Sequence, residues 1–192
     1  NYEGDSPAEG GIVNSNTFCC FVDGLYEKFP DLVIENCGSG ALRCDNKMLK
    51  RFFLQSTSDQ EIYYNNPSII MGSMAVMPPE KAGIWSYPYP AMYPYADGKY
   101  VPFAPDEEYI SKMKDGKETV FNMVTAMTGY LYLSGRIEHC DDKNFALVKE
   151  AVDFYKNIRK YISVSRPVFP LGMVGINEKK AAALGLISEN RL

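Results

Sequence analysis

Two short segments contain most of the side chains that could take part in a reaction. Residues 35–45 read ENCGSGALRCD, and residues 55–60 read QSTSDQ. The glycines of the first segment allow the backbone to turn sharply and to approach a ligand, so its amides could donate to hydroxyl groups. The carboxylate of Asp59 in the second segment could act as a general acid, or it could only cap a helix. On residue types alone, the helix cap and an unliganded turn are the favoured interpretations.

Each of these segments belongs to or follows a short apolar run, and such runs are typical of β-strands that are covered on both faces. We predict four strands, at residues 32–37, 52–58, 69–76 and 130–134. Amphipathic patterns predict helices at residues 12–28, 118–128 and 145–162. This alternation indicates parallel βαβ units, in which reactive groups gather at the carboxyl ends of the strands. Four parallel strands could belong to a small open sheet or to half of a barrel.

The composition disfavours several classes of partner and cofactor. A net charge of −4, from 20 basic and 24 acidic residues, disfavours a nucleic-acid partner. No apolar stretch approaches the roughly 20 residues of a membrane span, so we expect no membrane partner. A single histidine and five cysteines without CxxC spacing predict neither a metal site nor a disulfide framework. Reduced thiols are the simpler interpretation, and they predict a cytoplasmic protein.

Residues 86–117 form a long segment that is rich in proline, tyrosine and glycine. A connection of this length is typical of a functional loop or of an insertion. Trp85, Tyr87 and Tyr89 stand at its start and could stack on a ligand. They could equally pack the loop against the rim of the sheet.

Together, the two reactive segments resemble a pattern of glycoside hydrolase family 36, a family of retaining α-galactosidases. Residues 29–45, FPDLVIENCGSGALRCD, resemble the family's glutamate-to-aspartate turn, and the TSD triplet ending at Asp59 follows. Asp59 comes 22 positions after Cys37, which matches the family. Residues 77–90 resemble the stretch after the seventh barrel strand in a bacterial branch of the family. Residues 146–171 resemble its last barrel helix and exit.

The resemblance implies an α/β fold, a partial TIM (β/α)8 barrel with roughly strands five to eight and their helices. Residues 1–165 would form this second half of the catalytic barrel, and residues 166–192 would lead into a C-terminal β domain. The nucleophile of the family belongs to a K-x-D-x-N segment at the end of the fourth strand, which this sequence does not contain. Because the chain begins at Asn1 without an initiator methionine, we expect a cut from a longer protein and no activity of the piece alone.

The resemblance also implies roles for individual residues. Asp59 corresponds to the acid/base of the family, and the cysteine and glycine of the turn correspond to residues that contact galactose hydroxyls. Our candidate substrate-binding residues are Cys37, Ser39, Gly40, Arg43 and Trp85. Arg43 could instead brace the turn, together with Asp45. Trp85 is the candidate for stacking on the sugar.

Two departures from the family pattern bear on sugar preference, because Ala41 replaces a glycine and Ser56 stands where many members have a tryptophan. The implied activity is hydrolysis of terminal α-galactosides in melibiose- or raffinose-type oligosaccharides, without a cofactor and in a homo-oligomeric parent protein. The alternatives are an α-N-acetylgalactosaminidase and a catalytically inactive carbohydrate-binding relative. An open-sheet nucleotide-binding domain has little support, because no GxGxxG or P-loop glycine pattern follows the first strand.

Overall fold

The central sheet of the chain has four parallel strands: β1 (Glu35–Asn36), β2 (Leu54–Ser56), β3 (Ala82–Ser86) and β6 (Tyr130–Leu133). The structure is a computed structural model, and it describes residues 6–89, 92–94, 100–102, 115–176, 178 and 180–188. The four strands lie side by side in the order in which they follow one another along the chain. A sheet that grows in one direction is typical of a barrel, whereas a doubly wound sheet reverses its strand order.

Helices provide the crossovers that parallel strands require. Helix α1 (Pro7–Lys28) precedes β1, the crossover helices are α2 (Asn46–Arg51), α3 (Asn66–Met74) and α4 (Lys117–Ala126), and α5 (Asp142–Ile162) follows β6. Single 3-10 turns occupy Tyr63–Asn65, Pro79–Lys81 and Ile137–His139. Two antiparallel ribbons lie outside the parallel sheet: β4 (Met92–Pro94) with β5 (Tyr100–Pro102), and β7 (Ser165–Val168) with β8 (Gly185–Ser188).

Side chains at the helix starts explain where three of the helices begin. The Ser6 hydroxyl accepts a hydrogen bond from the amide of Glu9 at 3.1 Å, and a proline follows it at the first helical position of α1. The Asp45 carboxylate accepts from two amides of the first turn of α2, and the Asp141 carboxylate accepts from the amide of Asn144 in α5. Each cap satisfies amides that the helix itself leaves without acceptors.

The register of the strands separates two faces of the sheet, because residues in register on parallel strands point to the same side. The helix-covered face carries Asn36, Gln55, Ala82, Ile84 and Leu131. The open face carries Ser56, Gly83, Trp85, Tyr130 and Tyr132. On the helix-covered face, the main core cluster consists of Ile70, Met74, Met77, Ala82, Ile84 and Ala126. The core therefore lies between the sheet and its helices.

The strand that the sequence predicts at residues 69–76 is wrong, because these residues belong to α3 and its C-terminal end. A continuous apolar run has no period that distinguishes a buried strand from a buried helix, and Pro67 in the first turn favours the helix. The third strand is β3 instead, which begins with the poor strand formers Ala82 and Gly83. Gly83 leaves room for the ring of Tyr132, since a Cβ atom would lie 2.6 Å from that ring.

The other predicted elements are confirmed at the level of type and approximate position. Strands β1, β2 and β6 lie within the predicted residues 32–37, 52–58 and 130–134. The three predicted helices correspond to α1, α4 and α5. Much of the long segment 86–117 lies outside the described residues.

Candidate active site

Residues 37–43 form a turn, which we call the cysteine turn. It lies at the carboxyl end of β1 and connects this strand to α2. Its backbone is tight: the amide of Gly38 donates to the carbonyl of Gly40 at 3.2 Å. Both Ser39 and Gly40 have positive φ angles, 56° and 73°. A left-handed conformation at two successive residues reverses the chain at once and leaves the Cys37 and Ser39 side chains exposed at the end of the strand.

The cysteine turn packs directly against the segment that ends at Asp59. A Cβ atom on Gly40 would lie 2.8 Å from Cα of Ser58, so no larger residue fits without a shift of backbone. Gly40 itself is buried, although its neighbour Ser39 is exposed. The two sequence segments that could do chemistry are therefore in van der Waals contact, and the contact is between their backbones.

Two buried amides, Asn36 and Gln55, join the carboxyl ends of β1 and β2. The side-chain nitrogen of Asn36 donates to Oε1 of Gln55 at 2.6 Å and to the carbonyl of Arg43 at 3.0 Å. The side-chain nitrogen of Gln55 donates in turn to the carbonyls of Asn36 and Ser56, at 3.2 and 2.9 Å. The network closes the cysteine turn, because Asn36 precedes the turn and Arg43 ends it.

Asp59 stands on an ordered backbone just beyond β2. Thr57 holds this segment to β3, since its amide and its hydroxyl both donate to the carbonyl of Gly83, at 3.1 and 2.8 Å. The hydroxyl of Ser58 accepts from the amide of Gln60 at 3.0 Å. The carboxylate of Asp59 is exposed and caps neither the 3-10 turn nor α3, which follow it. The helix-cap interpretation of Asp59 is therefore wrong.

Tyr87 lies beside Asp59 at the carboxyl end of β3. Its side chain is buried, and burial followed by the carboxylates of Glu61 and Asp59 raises the pKa of Tyr87 to about 12. A hydrogen bond with Ser134, just beyond β6, acts in the opposite direction on this pKa. The ends of β2 and β3 thus bring two carboxylates and a neutral phenol together, and Ser134 beyond β6 contacts the phenol.

Aromatic rings cover the open face below these strand ends. The indole of Trp85 lies 4.7 Å from the ring of Tyr132, and Tyr130 lies 5.5 Å from Tyr132 on the other side. The indole N–H of Trp85 donates to the hydroxyl of Ser56 at 3.0 Å. Burial, and then the nearby Glu35 carboxylate, raise the pKa of Tyr132 above its ordinary value. These contacts hold Trp85 within β3, with its ring half-buried on the open face.

The structure brings most of the predicted site residues to one edge of the sheet. The residues found at the carboxyl ends of β1, β2 and β3 are Cys37, Ser39, Gly40, Asp59 and Trp85. The Arg43 side chain is exposed and lies over Gly38, where a Cβ atom would be 3.2 Å from it. Asp45 caps α2, so it braces the segment after the turn.

Three residues of this site were missed in the sequence: Asn36, Gln55 and Tyr132. A signal for the first two exists, because each is a polar residue inside a run that otherwise predicts a buried strand. No sequence signal distinguishes Tyr132 from the other tyrosines of the chain.

Two kinds of site are absent from the described residues. Within them, no group of three or more histidine, cysteine, aspartate or glutamate side chains is placed to hold a metal ion. No helix among the described residues is both long enough and apolar enough to span a membrane.

No protein-family model and no curated protein matches this sequence. Solved structures do match the fold. A variant of the family 36 α-galactosidase AgaA from Geobacillus stearothermophilus, in complex with raffinose, has a TM-score of 0.64 and 21% identity over 88% of this chain. The galactosidase domain of the α-galactosidase–sucrose kinase AgaSK has a TM-score of 0.62 and 19% identity over 88% of it. The family 36 α-galactosidase AgaB from Geobacillus stearothermophilus has a TM-score of 0.56 and 19% identity over 79% of it.

These similarities define the class of the fold. The chain is an α/β protein with part of a (β/α)8 barrel, as the sequence predicts. More particularly, the fold matches a part of the catalytic barrel of glycoside hydrolase family 36 α-galactosidases. This chain spans about a fifth of the length of those proteins, 20% of AgaSK and 21% of AgaA.

Proposed function

We propose that this chain is part of a family 36 glycoside hydrolase that removes terminal α-galactose from melibiose- or raffinose-type oligosaccharides. The observation that carries the proposal is the position of Asp59. Its carboxylate is exposed at the carboxyl end of a central barrel strand, caps no helix, and lies beside the cysteine turn. Catalytic groups of barrel enzymes are found at this end of the strands.

Asp59 acts as the acid/base in this proposal. It protonates the glycosidic oxygen as the bond to the anomeric carbon breaks, and it then removes a proton from the water that releases galactose. A retaining mechanism requires a second carboxylate, about 5–5.5 Å away, as the nucleophile. We assign that nucleophile to a part of the protein outside these 192 residues.

The cysteine turn and Trp85 bind the sugar in this proposal. Exposed Cys37 and Ser39 offer short polar groups to galactose hydroxyls, and buried Gly40 gives the turn the conformation that presents them. The exposed guanidinium of Arg43 stands at the end of the same turn. Trp85 presents a ring whose N–H already has an acceptor in Ser56, so its remaining exposed surface is apolar and suits the C–H face of a sugar.

The domain boundaries are part of the same proposal. Residues 1–165 belong to the barrel, and residues 166–192 lead into a C-terminal β domain. The change from parallel strands to the antiparallel ribbon of β7 and β8 supports a boundary near residue 165.

The test is hydrolysis of aryl α-galactosides by the complete protein, wild type beside Asp59→Ala. An activated aryl leaving group needs little protonation, so the variant should still form the glycosyl-enzyme but should hydrolyse it slowly. Added azide should then restore turnover and give α-galactosyl azide, because azide enters on the face that the aglycone left. Loss of general acid–base catalysis should lower the rate about 10³-fold on substrates with poor leaving groups.

Asp141→Ala is the matched control, because Asp141 is also an exposed carboxylate but caps α5. It should cost about 1 kcal/mol of stability and leave kcat/KM and azide dependence unchanged. An active wild type with an equally active Asp59→Ala variant would contradict the role of Asp59. A wild type that is inactive on every α-galactoside but cleaves an α-N-acetylgalactosaminide, or only binds sugar, would select one of the alternatives instead.

A further inference from the structure

We propose that Asn36 and Gln55 form an amide clasp that sets the position of the cysteine turn relative to Asp59. The two side chains are positioning residues, because they act through the turn and the carboxylate rather than on the substrate. This inference rests on the proposed function, in which Asp59 protonates the leaving group. It assigns a role to two residues that lie on the helix-covered face of the sheet.

The burial of the amide clasp indicates a purpose other than packing. Asn36 and Gln55 are 5% and 1% exposed, and Gln55 is in register with the core residue Ala82. Amides in an apolar core destabilise the fold unless their hydrogen bonds are made, and apolar residues of similar shape would pack there at no such cost. The clasp therefore occupies core positions with groups whose advantage is directional hydrogen bonding.

The hydrogen bonds of the clasp reach the two segments of the candidate active site. One nitrogen of Asn36 donates to Gln55 on the neighbouring strand and also to the carbonyl of Arg43, at the far end of the cysteine turn. The nitrogen of Gln55 donates to the carbonyls of Asn36 and Ser56, which are the last residues of β1 and β2. The clasp thus ties both ends of the turn to the strand that leads to Asp59.

The clasp and Gly40 together hold the turn at two points. The clasp holds the ends of the turn, and Gly40 rests on Ser58, the residue immediately before Asp59. Without the clasp, the turn would lose the hydrogen bond that ties Arg43 back to Asn36, and it could tilt about the contact of Gly40 with Ser58. A displacement of about 1 Å between a bound substrate and a catalytic group can lower the rate about 100-fold.

The experiment uses the complete protein with an apolar replacement of the clasp, the double variant Asn36→Leu/Gln55→Met. Leucine and methionine approximate the shapes of the amides but remove the donors to the carbonyls of Arg43 and Ser56, so the melting temperature should fall. The kinetics are therefore compared at a temperature at which both proteins are folded. kcat/KM is measured with dinitrophenyl and phenyl α-galactosides, which have similar aglycones but leaving groups of very different acidity. We expect a loss of about threefold on the activated substrate and about 100-fold on the phenyl substrate, because only the latter needs Asp59 in place.

A double-mutant cycle that combines the clasp variant with Asp59→Ala tests whether the clasp acts through that carboxylate. If it does, the clasp variant should add less than about twofold to the loss that Asp59→Ala causes on the phenyl substrate. Asn144→Leu is the matched control, since Asn144 is a buried amide that accepts from Thr119 between α4 and α5. It should lower activity on both substrates by the same factor, if at all.

The outcomes separate this inference from the proposed function. Suppose the wild type is active but the clasp variant loses the same factor of kcat/KM on both substrates, as expected for the Asn144→Leu control. That result would overturn the positioning role and leave Asp59 as the acid/base. Additive losses in the cycle with Asp59→Ala would overturn it as well. A wild type that is inactive on all α-galactosides would overturn the proposed function, and the clasp would lose its role with it.

Discussion

The two faces of the parallel sheet differ in the kind of side chain that they carry. Ala82 and Ile84 on the helix-covered face are almost completely buried in an apolar cluster with residues of α3 and α4. One residue further along the same strand, Gly83 and Trp85 on the open face adjoin hydroxyls and tyrosine rings. Because side chains of a strand alternate between faces, one pentapeptide, β3, serves both the core and the candidate site.

Because the two faces differ in this way, stability and activity should respond to different residues of one strand. Apolar area removed from water on the helix-covered face stabilises the fold. Groups on the open face and at the strand ends belong to the candidate site and contribute less to the core. The amide clasp is the exception, because it lies on the helix-covered face and its hydrogen bonds point to the candidate site.

The largest effect on stability is expected from Ile84→Ala, which tests the helix-covered face. Ile84 is 2% exposed, and removal of its side chain from a packed cluster should cost about 3 kcal/mol. Urea unfolding of the complete protein should show the loss, while kcat/KM of the folded protein should change less than about threefold. A large loss of kcat/KM without loss of stability would contradict the division between the two faces.

Gly40→Ala should affect stability and activity together, because Gly40 joins the cysteine turn to the segment before Asp59. Its φ angle of 73° and the 2.8 Å approach to Ser58 together should cost about 2 kcal/mol. Gly172→Ala is the control: Gly172 has a φ angle of 74°, but nothing lies within 4 Å of the added Cβ. The control should cost about 1 kcal/mol and leave kcat/KM unchanged, whereas Gly40→Ala should lower it. Equal kinetic behaviour of the two variants would mean that the contact with Ser58 has no role in activity.

Trp85→Phe should give a smaller effect, confined to the open face. Phenylalanine keeps an aromatic ring but cannot donate to Ser56, so the ring loses the hydrogen bond that orients it. One hydrogen bond corresponds to about 1 kcal/mol, and KM for an α-galactoside should rise about fivefold with kcat nearly unchanged. Ser56→Ala removes the same hydrogen bond from the other side and should give a similar rise. A Ser56→Ala variant that binds substrate as tightly as the wild type would show that the indole needs no such anchor.

At neutral pH the smallest effect is expected from Tyr87, because its titration acts only at high pH. Its pKa is raised to about 12 in the folded protein, so the neutral phenol is favoured by the fold. The unfolded chain, with a pKa near 10, loses this proton first, and stability should therefore fall as the pH rises from about 10 to about 12. Between pH 10 and pH 12, the melting temperature of the wild type should fall more than that of Tyr87→Phe, because the variant has no hydroxyl to titrate. Tyr64→Phe, at an exposed tyrosine, should follow the wild type throughout.

Part of the candidate site could be predicted from the sequence because chemistry at strand ends leaves short contiguous signals. Residues 35–45 combine glycines, a hydroxyl and carboxylates at the end of an apolar run. Residues 55–60 combine hydroxyls and a carboxylate at the end of the next one. The parallel βαβ order then requires both to lie at the same edge of the sheet. Of the four predicted strands, the one at residues 69–76 failed, because an apolar run without alternation is compatible with both α3 and a strand.

The α/β alternation and the two segments that meet at the candidate site follow from the sequence alone. These features depend on residues that are neighbours along the chain, because periodicity and hydrogen-bonding preferences are local properties of the sequence. Only the tertiary structure decided that Asp59 caps no helix, that Gly40 touches Ser58, and that Asn36 pairs with Gln55 across two strands. Those facts depend on the register and packing of segments about 20 residues apart, and interatomic contacts at that separation are fixed by the folded chain as a whole.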